Sequence, residues 1–134
     1  MEILEILEKL KGKLERLPCY PVNCVSQNLC AAILIPLVNA ENGWSLLFTR
    51  RSENVALHQN EVSFPGGSYE TLDQTLERTA LRETFEEIGV PASKINLLGG
   101  LPVSITITGF SVYPFVGILN WPFNIQINLQ EVQS

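Results

Sequence analysis

The sequence predicts a single α/β domain, and three features of its pattern say so. An apolar run, "LCAAILIPLV", is followed across "NAENG" by a second run, "WSLLFTR"; a long helical pattern then ends at Gly89; and alternating β-branched and aromatic residues resume at Ile95. At 134 residues, with 46% hydrophobic and 17% charged content, the chain suits one core of ordinary size. The expected division is a helix with an extended lead-in over residues 1–28 and the domain proper over residues 29–134.

The first stretch, "MEILEILEKLKGKLERL", carries apolar residues at helical spacing and reads as an amphipathic surface helix from Ile3 to about Leu14, with Gly12 its weak point. "LPCYPVNC" has two prolines and should be extended loop. Two antiparallel strands follow, Ala31 to Val38 and Trp44 to Thr49, joined at the hairpin signal Asn42-Gly43. "RRSENVALHQN" is polar and irregular, a surface loop. "EVSFPGG" reads as a short strand that Pro65 ends, with Gly66-Gly67 as a turn open to unusual backbone angles.

The helix should begin near Thr71, where Thr71 and Gln74 fit a capping box, and stop at Gly89. Leu81, Phe85 and Ile88 share one face while Leu76 and Ala80 lie nearly opposite, so the helix is expected to be packed on two sides. Further strands are expected near Ile95 to Leu98, Leu101 to Thr106 and Ser111 to Leu119, with a bend at Thr108-Gly109. Alternation makes Phe110, Tyr113 and Phe115 core residues ahead of base-stacking ones, and Trp44 and Trp121 are read as packing residues.

A net charge of −5 lacks the basic footprint that accompanies nucleic-acid binding, so no nucleic-acid partner is expected, and an anionic small molecule would need a recruited cation. The N-terminus is acidic from position 2, unlike a secretory signal, and no run of about 18 apolar residues predicts a membrane span. Cys19, Cys24 and Cys30 form no CxxC pair and the single His58 is remote, which argues against zinc. Three reduced thiols in a cytoplasmic protein are expected, Cys30 within a strand core.

The chemistry concentrates in "RETFEEIGV". Glu83, Glu86 and Glu87 project from neighbouring turns of one helix, and each like-charge pair costs about 0.2–0.5 kcal/mol on an exposed helix. A bound hard divalent cation such as Mg²⁺ would convert that repulsion into coordination, since hard cations take a few carboxylates together with substrate phosphates. Arg82 is positioned to orient Glu86 as an i, i+4 pair and leave Glu83 and Glu87 for metal, with the Gly66-Gly67 backbone brought close. The plainer reading is a solvated acidic face with a surface ion pair. Arg50 and Arg51 suit phosphate contacts or a solvated strand end alike, and His58 sits in a loop without an evident partner.

"GG", with Gly67 fifteen positions before the Arg82 that opens "RETFEEIGV", resembles the Nudix box GX5EX7REUXEEXGU, where U is a bulky aliphatic residue. Arg82, Glu83, Glu86, Glu87, Gly89 and Val90 match, Thr84 occupies a U slot, the glycine lies one residue early, and Gln74, beside Asp73, replaces the isolated glutamate. The early glycine, "FPGG", "TALRE" and "TGFSVYPFVG" resemble the coenzyme A diphosphatase subfamily. Its signature LLTXR(S/A)X3RX3GX3FPGG matches at Leu47, Thr49, Arg51, Ser52 and Phe64 to Gly67, and departs at Phe48, Ala56 and Asn60.

The resemblance implies an α/β/α sandwich around a mixed sheet and a Mg²⁺- or Mn²⁺-dependent attack of water on a nucleoside diphosphate linked to another moiety, foremost coenzyme A or an acyl-CoA. It implies Glu83, Glu86, Glu87 and Gly66 as metal ligands, Glu86, Arg82 and Glu131 in catalysis, and Arg50, Arg51, Ser52, Phe64 and Gly67 at the substrate. Another substrate such as ADP-ribose or NADH, or a non-catalytic binding protein, stands as the alternative. Related chains continue past "INLQEVQS", so an incomplete C-terminal end compensated by a homodimer is expected.

Overall fold

The computed structural model describes residues 9, 12–14, 30–40, 43–50, 62–106 and 109–120. Its centre is β1 (Cys30–Ala40), paired in parallel along its length with β8 (Ser111–Asn120). The other edge of β1 is shared by β5 (Gly66–Ser68) and β2 (Gly43–Leu46), both antiparallel. The other edge of β8 is shared by β7 (Ser104–Ile105) and β6 (Ile95–Gly100), also antiparallel. The result is a six-stranded mixed sheet. Separate from it, β3 (Thr49–Arg50) and β4 (Val62–Ser63) form a short ribbon.

Two prolines sit inside the long strands, where a missing N–H would ordinarily break a ladder. Pro36 lies between the last residue of β1 paired with β5, Ile33, and the first paired with β2, Leu37. Pro114 lies between Val112, paired with β7, and Phe115, paired with β6. Each proline thus falls where the outer neighbour changes. Its carbonyl is still used, by the amides of Leu47 (3.1 Å) and Leu101 (2.8 Å) respectively.

Alternation along β1 and β8 divides the core. Ala32, Leu34, Phe115 and Leu119 join Leu76, Ala80 and Ile88 of helix α1 (Leu76–Ile88) on one face. On the other face Val116, Ile118 and Leu98 meet Leu14, with Ile35 and Leu37 partly buried beside them. Lys9, Gly12 and Lys13 are helical, within the expected N-terminal helix.

Several expectations change. The second strand stops at Leu46, and Thr49 belongs to the ribbon, because Leu47 makes the last bond to the sheet at Pro36. Gly66-Gly67 is a strand without positive φ, where a turn was expected. The helix starts five residues later than Thr71: a 3-10 turn, Thr71–Asp73, is closed by Gln74 at φ 67°, and Thr75 caps α1 by accepting from the Arg78 amide at 3.4 Å. Gly89 ends it as expected, at φ 74° with its amide on the Phe85 carbonyl at 2.9 Å.

Only one side of α1 is buried. Phe85 is 56% exposed and borders an open groove of about 500 Å³ with Arg78, Leu81, Arg82, Pro91 and Ala92. Trp44, read as a packing residue, is 39% exposed on β2. Cys30 is buried in the core as expected, but it is disulfide-bonded and not a reduced thiol. Tyr113 packs at the core margin and Phe115 is inside it. Cys19, Cys24, Asn42, Thr108 and Trp121 lie outside the described residues. Among the described residues no helix is long and apolar enough to cross a membrane.

Candidate metal centre

Helix α1 presents Glu83 and Glu87, one turn apart, to the glycine strand β5. The Gly66 amide donates to Glu87 Oε2 at 3.1 Å, and Glu87 is 5% exposed. A Cβ on Gly67 would stand 2.5 Å from the Glu83 carboxyl carbon, so only glycine lets that carboxylate lie against the strand. A Cβ on Gly66 would run into the carbonyl oxygen of Ala32 in β1. The diglycine therefore serves close approach of backbone and carboxylate. The displaced glycine of the box has a physical reason here, since Gly67 is the residue under Glu83 while Ser68, in the usual glycine position, is exposed.

Arg82 organises the acidic residues. Its Nε donates to Asp73 Oδ1 at 2.8 Å and one terminal nitrogen reaches Asp73 Oδ2 at 3.1 Å and the Ser68 carbonyl at 2.9 Å. The other terminal nitrogen reaches Glu83 Oε1 at 2.9 Å and Glu86 Oε2 at 3.2 Å. Glu70 lies 3.8 Å from Nε. Asp73 also accepts from the Glu70 amide at 3.0 Å and the Thr79 hydroxyl at 2.8 Å. Hydrogen bonding to Asp73 holds the Arg82 guanidinium in its charged form against the opposing effect of burial. Burial pushes the Asp73 carboxyl up, but the bonds from Arg82, Glu70 and Thr79 outweigh it and leave it below its ordinary value of 3.8.

The i, i+4 contact of Arg82 with Glu86 is present, and Arg82 also binds Glu83 through Oε1. The anchor of the arginine, Asp73, is a residue that the motif alone did not single out. Its only signal is a carboxylate beside the box position held by Gln74. Thr84, in a slot for an aliphatic residue, is 0% exposed and satisfies its hydroxyl by donating to the Ala80 carbonyl at 2.7 Å.

Among the described residues no three carboxylate, histidine or cysteine groups are already gathered at metal-holding distances. The Glu86 side chain is drawn to Arg82 and is 45% exposed, whereas Glu83 is 14% exposed and Glu87 nearly buried. The two carboxylates against one strand surface are hard oxygen donors, and that donor chemistry fits a small divalent cation completed by other oxygens.

Of the expected substrate residues, Arg50 is exposed at the end of β3 and Phe64 precedes Pro65 next to β5. Arg51, Ser52, Ala56, His58, Asn60 and Glu131 lie outside the described residues.

Gly67→Ala is expected to keep the fold and weaken Mn²⁺ binding about 10- to 100-fold, the range for residues that support a metal ligand. The methyl meets the far end of a flexible side chain, so the stability cost should stay near 1 kcal/mol. Mn²⁺ titration followed by electron paramagnetic resonance, with a thermal melt alongside, checks both; unchanged Mn²⁺ affinity would remove the glycine's assigned role.

Residues 28–119 match the NUDIX domain family. The chain is 39% identical over 104 residues to the uncharacterized Nudix hydrolase NudL of Enterobacter sp. (strain 638), covering 78% of this chain and 54% of that protein. Against the NudL of Yersinia enterocolitica it is 43% identical over 101 residues, 75% of this chain and 50% of the relative. The chain thus spans about half the length of these relatives. Among solved structures, a C. elegans Ap4A hydrolase binary complex superposes with TM-score 0.66 at 21% identity, covering 78% of this chain and 75% of that one. The NUDIX domain of Shewanella oneidensis NrtR complexed with ADP ribose superposes with TM-score 0.60 at 19% identity, covering 100% and 80%. At these identities the structures establish the fold.

Proposed function

Because the chain belongs to the NUDIX family, we propose that it hydrolyses the diphosphate linkage of a nucleoside diphosphate joined to another moiety, with a Mg²⁺ or Mn²⁺ ion as cofactor. The observation that carries this reading is the pair Glu83 and Glu87 pressed against Gly66-Gly67 and fixed by an arginine that is itself anchored on buried Asp73. When bound, a divalent cation supplies charge neutralisation and polarisation of the diphosphate oxygens. Glu83, Glu87 and the Gly66 carbonyl hold it in this reading. Arg82 keeps Glu83 and Glu86 from repelling each other out of position. Glu86 takes the proton of the attacking water, a role supported by its half-exposed carboxylate. Glu131 remains a further candidate base from the sequence.

Within that class, coenzyme A or an acyl-CoA is the substrate we favour, cleaved to 3',5'-ADP and a 4'-phosphopantetheine product. Support comes from "FPGG", the early glycine and "TGFSVYPFVG". The signature arginine is replaced by Ala56, and a charge-assisted contact of that kind is worth about 1.5–3 kcal/mol, or roughly ten- to a hundredfold in affinity. Turnover of coenzyme A should therefore be slow, and Ala56→Arg should raise kcat/KM. Product release from coenzyme A, ADP-ribose, NADH and dinucleoside polyphosphates with each metal tests the class and the substrate together. If another substrate outpaces coenzyme A more than about tenfold and Ala56→Arg does not alter the ranking, the coenzyme A reading is wrong while hydrolysis of the class stands.

A further inference from the structure

The ribbon β3–β4 has one face in solvent and one face inward. Thr49 is 5% exposed and its hydroxyl donates to the Ser63 carbonyl at 3.1 Å. One residue to either side, the alternation of a strand brings Phe48 and Arg50 to the opposite face. The pairing of Thr49 with Ser63 and Arg50 with Val62, continued one step, sets Phe48 opposite Phe64. Their rings are stacked, with centroids 4.7 Å apart and an interplanar angle of 22°. Phe64 covers one ring face of Phe48, yet 48% of Phe48 remains exposed, so its other side is open to solvent. Such exposure forfeits much of the burial that stabilises an aromatic side chain.

We propose that the open face of Phe48, backed by Phe64 and flanked by Arg50, stacks the nucleobase of the substrate; this rests on the hydrolase reading above. Phe64 is joined through buried Pro65 to Gly66, whose amide holds Glu87, so two residue steps, at most about 7 Å of chain, separate the aromatic pair from the strand that faces Glu87. Arg50 adds a cation on the same face, suited to a phosphate beside the base. Stacking tolerates every base because each has a π-face. The subsite therefore selects for an aromatic base rather than for one base, with purines ahead of pyrimidines through the larger stack. Phe48 is also where the resembled signature has leucine, which makes this feature the chain's own.

The test uses the full chain with Mg²⁺ and two probes, ADP and inorganic pyrophosphate, measured by isothermal titration. ADP should bind about tenfold more tightly than pyrophosphate, within the range for one base on an aromatic ring. Phe48→Leu should remove most of that advantage and leave pyrophosphate binding near the parental value, which also reports an intact fold. Phe48→Tyr should retain it. Equal losses for both probes, or no loss of ADP affinity, would overturn the subsite and leave the hydrolase reading standing. Failure of the parent to bind either probe would overturn both. Trp44 and Leu46 extend the same row of exposed apolar residues. If Phe48→Leu instead dissociates a dimer in sedimentation and leaves ADP affinity alone, the row is a subunit contact and the proposal is wrong.

Discussion

Glu87→Gln is expected to lower diphosphate hydrolysis at least about a hundredfold, the scale for losing one group that stabilises developing charge at a reacting centre. The substitution removes the charge and keeps the shape. Glu87 Oε2 accepts from the Gly66 amide at 3.1 Å, and a glutamine oxygen can accept the same bond. Glu83, four residues earlier, also loses a like charge, so stability without metal should hold level or rise by a few tenths of a kcal/mol. Three measurements separate the alternatives: product release, Mn²⁺ affinity and the thermal midpoint. A variant that turns over at the parental rate would remove Glu87 from the metal centre; one that loses activity only because it unfolds would leave its role open to the milder Glu87→Asp. The contrast with Gly67→Ala is useful, since that change moves Glu83 while leaving every charge in place.

Much of this centre could be read from the residue order because helical spacing alone fixes which carboxylates share an arc. Glu83, Glu86 and Glu87 are three and four residues apart, and Gly89 closes the helix after them, so their grouping needs no tertiary information. What decides the fine geometry is non-local. Arg82 has carboxylates within reach on its own helix, yet its shortest bond goes to Asp73, nine residues back across a 3-10 turn. Thr71 and Gln74 satisfy a capping pattern as well as Thr75 does, and the competition is settled by Asp73 binding the Glu70 amide and Gln74 adopting positive φ. The diglycine misled in the same way. Glycine is compatible with a turn, and only the crowding of Ala32 and Glu83 shows that here it is required in a strand. Phe85 illustrates the limit of periodicity, which marks an apolar position without saying whether a neighbouring element covers it.

Asp73→Asn should show how far the centre depends on that non-local anchor. The Asp73 side chain is 5% exposed and Arg82 23% exposed; the amide weakens the charge-assisted bonds between them while Arg82 keeps Glu83 and Glu86, at a cost of about 1.5–3 kcal/mol near neutral pH. The pH dependence carries a definite sign. The folded carboxyl sits below its ordinary value of 3.8 because the bonds from Arg82, Glu70 and Thr79 outweigh burial, so the folded state binds fewer protons than the unfolded one. The stabilisation is then complete above the unfolded value, near pH 4, and fades as pH falls through the lower folded value. The gap between urea melts of parent and variant should be largest at neutral pH and narrow in acid, where Asp73 is protonated and resembles the amide. A gap that stays constant into acid would mean that the loss comes from geometry and not from charge. Because Arg82 also holds Glu83 and Glu86, the same substitution should weaken Mn²⁺ binding about 10- to 100-fold under conditions where the variant is still folded. Full Mn²⁺ affinity in a folded variant would show that the arginine positions the carboxylates without needing its aspartate.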